Sequence, residues 1–246
     1  NTIGKVAGAA RAEVVLAGVE LGADIYVHRG DRPRYGFDLS TGIWDFDVYG
    51  EMALRPGGDF LHYDPELMTI GTYTGYETQI VGGINYSRKY NDNDAWTVGA
   101  EYFYNHPGYD SASVYPQALN YAAKNPSLVP NGNPFALFPF FYLGQHYAAV
   151  FASFPAPYSW NYTTFTFSTL GNLSDKSFIS RIDYAVTVLT HLSVEAFVGV
   201  HYGHVGGEFR FELPADTAAQ LGVASGSNAL SSYPIVDLGA ALRIKI

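Results

Sequence analysis

The sequence predicts an all-β fold, an antiparallel up-and-down transmembrane β-barrel of about ten strands. Three observations carry this expectation. Apolar and polar residues alternate with period two in segment after segment. Charged residues supply 15% of the chain and aromatics 16%, where soluble domains carry roughly 25% charge. Long and short connections alternate along the chain, which gathers the long ones at one end.

The alternation is clearest from Phe178 to Tyr202. Ile182, Tyr184, Val186 and Val188 oppose Arg181, Asp183, Ala185 and Thr187. After a turn at 189–192, Val194, Ala196, Val198, Val200 and Tyr202 oppose Glu195, Phe197, Gly199 and His201. Two strands of one hairpin result.

From the N-terminus, Asn1 to Ala10 receives no assignment. Val15, Ala17, Val19, Leu21, Ala23, Ile25 and Val27 then alternate with Gly18, Glu20, Gly22, Asp24 and Tyr26, predicting one long first strand over 12–27. The polar segment 28–34 turns the chain into a strand over 35–40, and a tighter turn at 41–44 leads to a third strand over 46–55. Pro56-Gly57-Gly58 ends that strand and opens a loop over 57–74. The fourth strand covers 76–90. Asn91-Asp92-Asn93-Asp94 closes it as a turn, because these side chains bond their own backbone, and the glycine and distant glutamate of an EF-hand are missing.

A fifth strand covers 96–104. The segment 108–140 is the longest irregular stretch, and loops of such length are often functional. Strands over 142–154 and 160–170 carry aromatics on both faces, and no Asp, Glu, Lys or Arg occurs from Asn125 to Ser174. Past His201 the apolar parity switches from even to odd at Phe209 and Phe211, which predicts a bulge or glycine kink within 203–207. A loop over 212–231, with a helical turn or two in 216–224, precedes the last strand. There Leu238, Ala240, Leu242, Ile244 and Ile246 alternate with Asp237, Gly239, Ala241, Arg243 and Lys245.

Composition excludes several classes. The nearest approach to a membrane-spanning helix, Phe135 to Phe154, is interrupted by Pro139, Gln145 and His146. Cysteine is absent, which removes disulfides, thiolate metal sites and a cysteine nucleophile. The net charge of -9 argues against a nucleic-acid partner, which wants clustered Lys and Arg. The chain opens at Asn1 without a charged-then-apolar leader, which suits a processed product.

The last strand, Asp237 to Ile244, resembles the C-terminal assembly signal of bacterial outer-membrane β-barrel proteins: a polar residue, a glycine, then alternating hydrophobics. The usual terminal aromatic is replaced by Ile246. The resemblance is porin-like in architecture and covers 12–246. It implies a bacterial outer-membrane location with lipid around the barrel, extracellular loops over 57–74, 108–140 and 212–231, and short periplasmic turns with both termini on that side. A soluble barrel or sandwich with a solvated polar face is the alternative.

On this parity the lumen receives Glu20, Asp24, Asp38, Asp45, Asp47, Glu51, Glu77, Glu101, Asp183, Glu195, Glu208, Glu212 and Asp237, against Arg55, Arg181, Arg210, Arg243 and Lys245. The acid excess predicts a small pore or uptake channel that favours cations, with Glu51, Glu101 and Glu195 setting the preference. A narrow barrel can instead be filled by its own side chains, with Arg181, Arg210 and Arg243 bridging carboxylates. The protein would then be a structural or interaction barrel that binds a protein or surface partner through its loops. A rim enzyme would draw on His28, Asp59, His62, Asp64, His106, Asp110 and His204, whose spacing matches no catalytic motif. No catalytic residue, metal site or cofactor is expected.

Overall fold

A computed structural model describes residues 6–58, 60–138, 142–212, 217, 219 and 235–244. Its main feature is one antiparallel sheet of eleven strands in chain order. The strands are β1 (Ala7–Leu16), β2 (Val19–His28), β3 (Arg34–Ile43), β4 (Phe46–Pro56), β7 (Tyr76–Lys89), β8 (Ala95–Asn105), β9 (His146–Pro155), β10 (Thr163–Asn172), β11 (Ser177–Leu189), β12 (Leu192–Gly203) and β13 (Val236–Ile244). A small separate hairpin, β5 (His62–Asp64) with β6 (Thr69–Gly71), lies within the connection after β4. The large sheet is not closed, and β1 and β13 are its two edges.

The expected long first strand is a hairpin. Ala17 and Gly18 take φ of 52° and 82°, the left-handed pair that a two-residue turn between twisted strands requires, and Leu16 pairs with Val19. The turn flips the apolar parity from even in β1 to odd in β2. Because Val14, Val15 and Leu16 are all apolar, that flip leaves no mark in the sequence. The added strand also corrects the placement of the chain ends: β1 begins at the end of the sheet carrying the long connections, and β13 finishes at the other.

Two further expectations change. Strand β12 stops at Gly203, whose φ is +98°, and Glu208–Arg210 forms a 3-10 turn instead of continuing as a kinked strand. The stretch 108–140 is not irregular, since it holds α1 (Val114–Lys124) and short 3-10 turns at Pro126–Leu128, Pro130–Gly132 and Pro134–Leu137. The segment 216–224, read as a helical turn or two, lies almost wholly outside the described residues, as do Ile246 and Lys245.

Long connections (57–75, 106–145 and 204–235) gather at one end with the turns at 29–33 and 173–176. The opposite end carries 17–18, 44–45, 90–94, 156–162 and 190–191. In the turn at 90–94, Asn91 Oδ1 accepts the backbone N–H groups of Asn93 and Asp94 at 2.9 and 2.6 Å, which is the local bonding that favours Asn there.

Cross-strand register sorts the strands onto two faces. On one face, rows such as Leu21, Leu39 and Gly50, or Phe167, Ile182 and Val198, run from strand to strand. Among the described strand residues this face carries no Asp, Glu or Lys; Arg88 and His146, near strand ends, are its ionisable members besides tyrosine. Many of its hydrophobics are exposed, Val14, Leu21, Phe37, Ile84, Val150, Ile182, Leu238 and Leu242 among them. The fully buried side chains lie mainly at the long-connection end, where Tyr63, Tyr109, Tyr115, Ala118, Ala122 and Leu137 pack together. Total surface is 15487 Å², against roughly 11,000 Å² for a globular protein of 26.9 kDa. Many side chains of this apolar face stay uncovered along the sheet.

Candidate functional site

The opposite face is polar, and register places Glu20, Asp24, Asp47, Glu51, Glu77, Glu101, Arg181, Asp183, Glu195 and Arg243 on it. Arg210 is not there. It stands in the 3-10 turn beyond β12 and donates to the carbonyl of Gly203 at 3.1 Å, because the strand that would have carried it ends first.

Most bases on this wall hold carboxylates. Arg55 Nε donates to Glu77 Oε2 at 2.8 Å, with Glu77 wholly buried. Arg181 grips Asp183 through Nε at 2.8 and 2.9 Å and lies 3.8 Å from the ring centroid of Phe197. Arg243 Nε meets Glu195 at 2.7 Å, and the Tyr49 hydroxyl donates to Glu101. Arg11, which the sequence reading left aside, reaches Asp24 at 2.6 Å and Asp38 at 2.9 Å. It enters the wall only because the hairpin turns β1 back along β2, so no reading with a single long strand could place it. Among the described residues Glu51 has no side-chain hydrogen bond or ion pair. It lines a hollow of about 460 Å³ together with Arg11, Asp24, Asp38, Gln79 and Phe103.

A cap sits over one end of this wall. Helix α1 presents Val114, Tyr115, Ala118, Leu119 and Ala122 as its buried stripe, spaced at three and four residues as an amphipathic helix requires. The helix is tied down by a buried polar cluster. Asn172 Nδ2 lies 2.9 Å from both Asp175 Oδ2 and Glu208 Oε2, the Tyr147 hydroxyl donates to Glu208, and the Glu208 N–H donates to Asp175 Oδ2 at 2.7 Å. Tyr115 joins from the helix. Gly144 is required beside it, since a Cβ there would strike the Asn172 amide. Burial pushes the Glu208 carboxyl up from its ordinary value, ahead of the opposing effect of its hydrogen bonds, and burial likewise raises the Tyr115 hydroxyl. The only sequence signal for this cluster is the Asx pattern at Asn172, whose Oδ1 accepts from Ser174 and Asp175.

Four of the residues of the rim-enzyme reading make other contacts. His28 pairs with Asp31 at 2.8 Å, Asp64 caps the N–H groups of Glu66 and Leu67, and His62 stacks on Tyr109 with centroids 4.7 Å apart. His106 lies against Tyr73, and Asp59 falls outside the described residues. Among the described residues no three His, Cys, Asp or Glu side chains gather as a metal site. No family model, curated protein or solved structure matches this chain.

Proposed function

We propose that this chain is the wall of a bacterial outer-membrane β-barrel that serves as a small uptake channel, its apolar face toward lipid and its polar face around the lumen. The carrying observation is the sorting of charge. Across eleven strands the described acids and nearly all bases stand on one face, while the other is a continuous hydrophobic surface left open. Water would oppose that surface at roughly 25 cal/mol per Å², whereas a bilayer receives it without cost. In hydrocarbon the edges of β1 and β13 must be covered. Both run from the long-connection end to the short-turn end, so a direct meeting of the two would be parallel.

Arg–carboxylate pairs neutralise much of the wall, and unpaired Glu51 beside Asp24 and Asp38 leaves the hollow acidic. That balance supports a cation-favouring lumen. The cap built on α1 favours a second reading, a plugged barrel that acts through its loops. Single-channel recording of detergent-purified protein in planar bilayers under a salt gradient separates the two. Cation-selective steps are the expected result; insertion without conductance selects the plugged barrel, and a chain that stays in water without detergent overturns both.

A further inference from the structure

Between the cap and the wall lies a second cavity, of about 440 Å³, inside the size range of small-molecule sites. Its lining is mostly ring and aliphatic surface, including Phe60, His62, Tyr73, Tyr109 and Leu137. The large sheet contributes Arg55, Gln79 and Asn105 to the lining, beside the imidazole of His62 and the hydroxyls of Tyr73, Tyr109 and Tyr142. No carboxylate lines it among the described residues. Gln79 also lines the acidic hollow, so the two spaces adjoin along the wall.

Arg55 is the cation of this lining. Its Nε is held by Glu77 at 2.8 Å and its guanidinium carbon lies 5.0 Å from the Phe60 ring centroid. The edge formed by its two terminal nitrogens makes no hydrogen bond to a described residue. Gln79 Nε2 donates to Asn105 Oδ1 at 2.8 Å, and Asn105 Nδ2 is taken by the carbonyls of Tyr142 and Gly144. Burial lowers the affinity of His62 for a proton, and its ring stacks on Tyr109 with centroids 4.7 Å apart.

We propose that this cavity binds a small aromatic molecule carrying one uncharged oxygen acceptor, a ketone, amide or ester, with its ring against the His62–Tyr109 stack and its oxygen on the open edge of Arg55. The charge of Arg55 is already matched by a fully buried carboxylate, so a carboxylate ligand would place a second anion on one guanidinium beside an acidic wall. A neutral acceptor takes the free donors without that repulsion. The inference rests on the uptake reading for its meaning as a substrate entry site.

The test is calorimetric titration of purified protein in detergent with 2-acetylnaphthalene, using protein-free micelles as the baseline, and 2-ethylnaphthalene and 2-naphthoate as comparison ligands. The ketone is expected to bind at least tenfold more tightly than either. Arg55→Gln paired with Glu77→Gln, which leaves no orphaned charge, should remove that preference for the ketone. Leu137→Trp should abolish binding by filling the space. Equal binding of ketone and hydrocarbon, or binding unaffected by Leu137→Trp, overturns the proposal. Titration needs no conduction: binding in a chain that fails to enter bilayers overturns the uptake reading alone, and conductance without binding overturns this inference alone.

Discussion

The hydroxyl of Tyr115 donates to Oδ2 of Asp175 across 2.9 Å, joining a helix inside the longest connection to the turn between β10 and β11. Both groups are buried, and Asn172 at the end of β10 also donates to the same hydroxyl, at 3.4 Å, so Tyr115 ties the cap to the wall. Tyr115→Phe keeps the ring and removes the donor, while Asp175 retains Asn172, the Ser177 hydroxyl and the Glu208 N–H. A loss of about 1–3 kcal/mol is expected. It should appear as amide exchange in 114–124 faster by roughly five- to a hundredfold, with strand amides unchanged. Unaltered exchange in the helix would show that apolar packing alone holds the cap.

This division between wall and cap is also where legibility in the sequence changes. A strand writes its two faces into alternate residues, so Val194 to Tyr202 and Leu238 to Ile244 announce both their conformation and their polar partners. The α1 stripe shows no comparable contrast, because Tyr115, Ala118 and Ala122 are flanked by other small and aromatic residues and the helix lies within a segment crowded with proline and asparagine. The buried cluster is less legible still. Asn172, Asp175 and Glu208 come together only through the pairing of β10, β11 and β12, and Glu208 lies beyond the end of β12 in a 3-10 turn.

The same cluster predicts a dependence on pH. Burial raises the Glu208 carboxyl above its ordinary 4.5, so the folded cap binds the proton more tightly than the unfolded one. The stability that this proton supplies is complete below 4.5 and is lost as pH rises through the folded value. The cap should be tightest in acid and loosen toward neutrality. Proteolysis between 106 and 145 should quicken over that interval in the wild type, and Glu208→Gln should flatten the profile. A cap that loosens on acidification would contradict the assignment.

Arg55 and Glu77 make a different prediction, because Glu77 is entirely buried and Arg55 is the base that meets it. Removing the cation by Arg55→Ala leaves a carboxylate without a counter-charge and is expected to cost about 3–5 kcal/mol. Replacing both residues by apolar ones of similar volume, Arg55→Met with Glu77→Leu, should recover most of that loss. Thermal unfolding of Arg55→Met, Glu77→Leu and the double variant measures the coupling. Additive losses would mean that the pair is not a unit.

Glu51 is the acid whose removal separates selectivity from stability. Glu101 holds the Tyr49 hydroxyl and Glu195 holds Arg243, so Glu101→Gln and Glu195→Gln disturb the wall as well as its charge. Glu51→Gln breaks no hydrogen bond and should shift stability by less than about 0.5 kcal/mol. In a conducting barrel its charge would act on a passing ion: at about 5 Å in water a unit charge is worth roughly 0.8 kcal/mol, about a fourfold change in cation occupancy. The expected outcome is a reversal potential displaced toward zero at unchanged melting temperature. In a conducting channel, a reversal potential that does not move would place Glu51 away from the ion path and transfer selectivity to Asp24 and Asp38, beside Arg11.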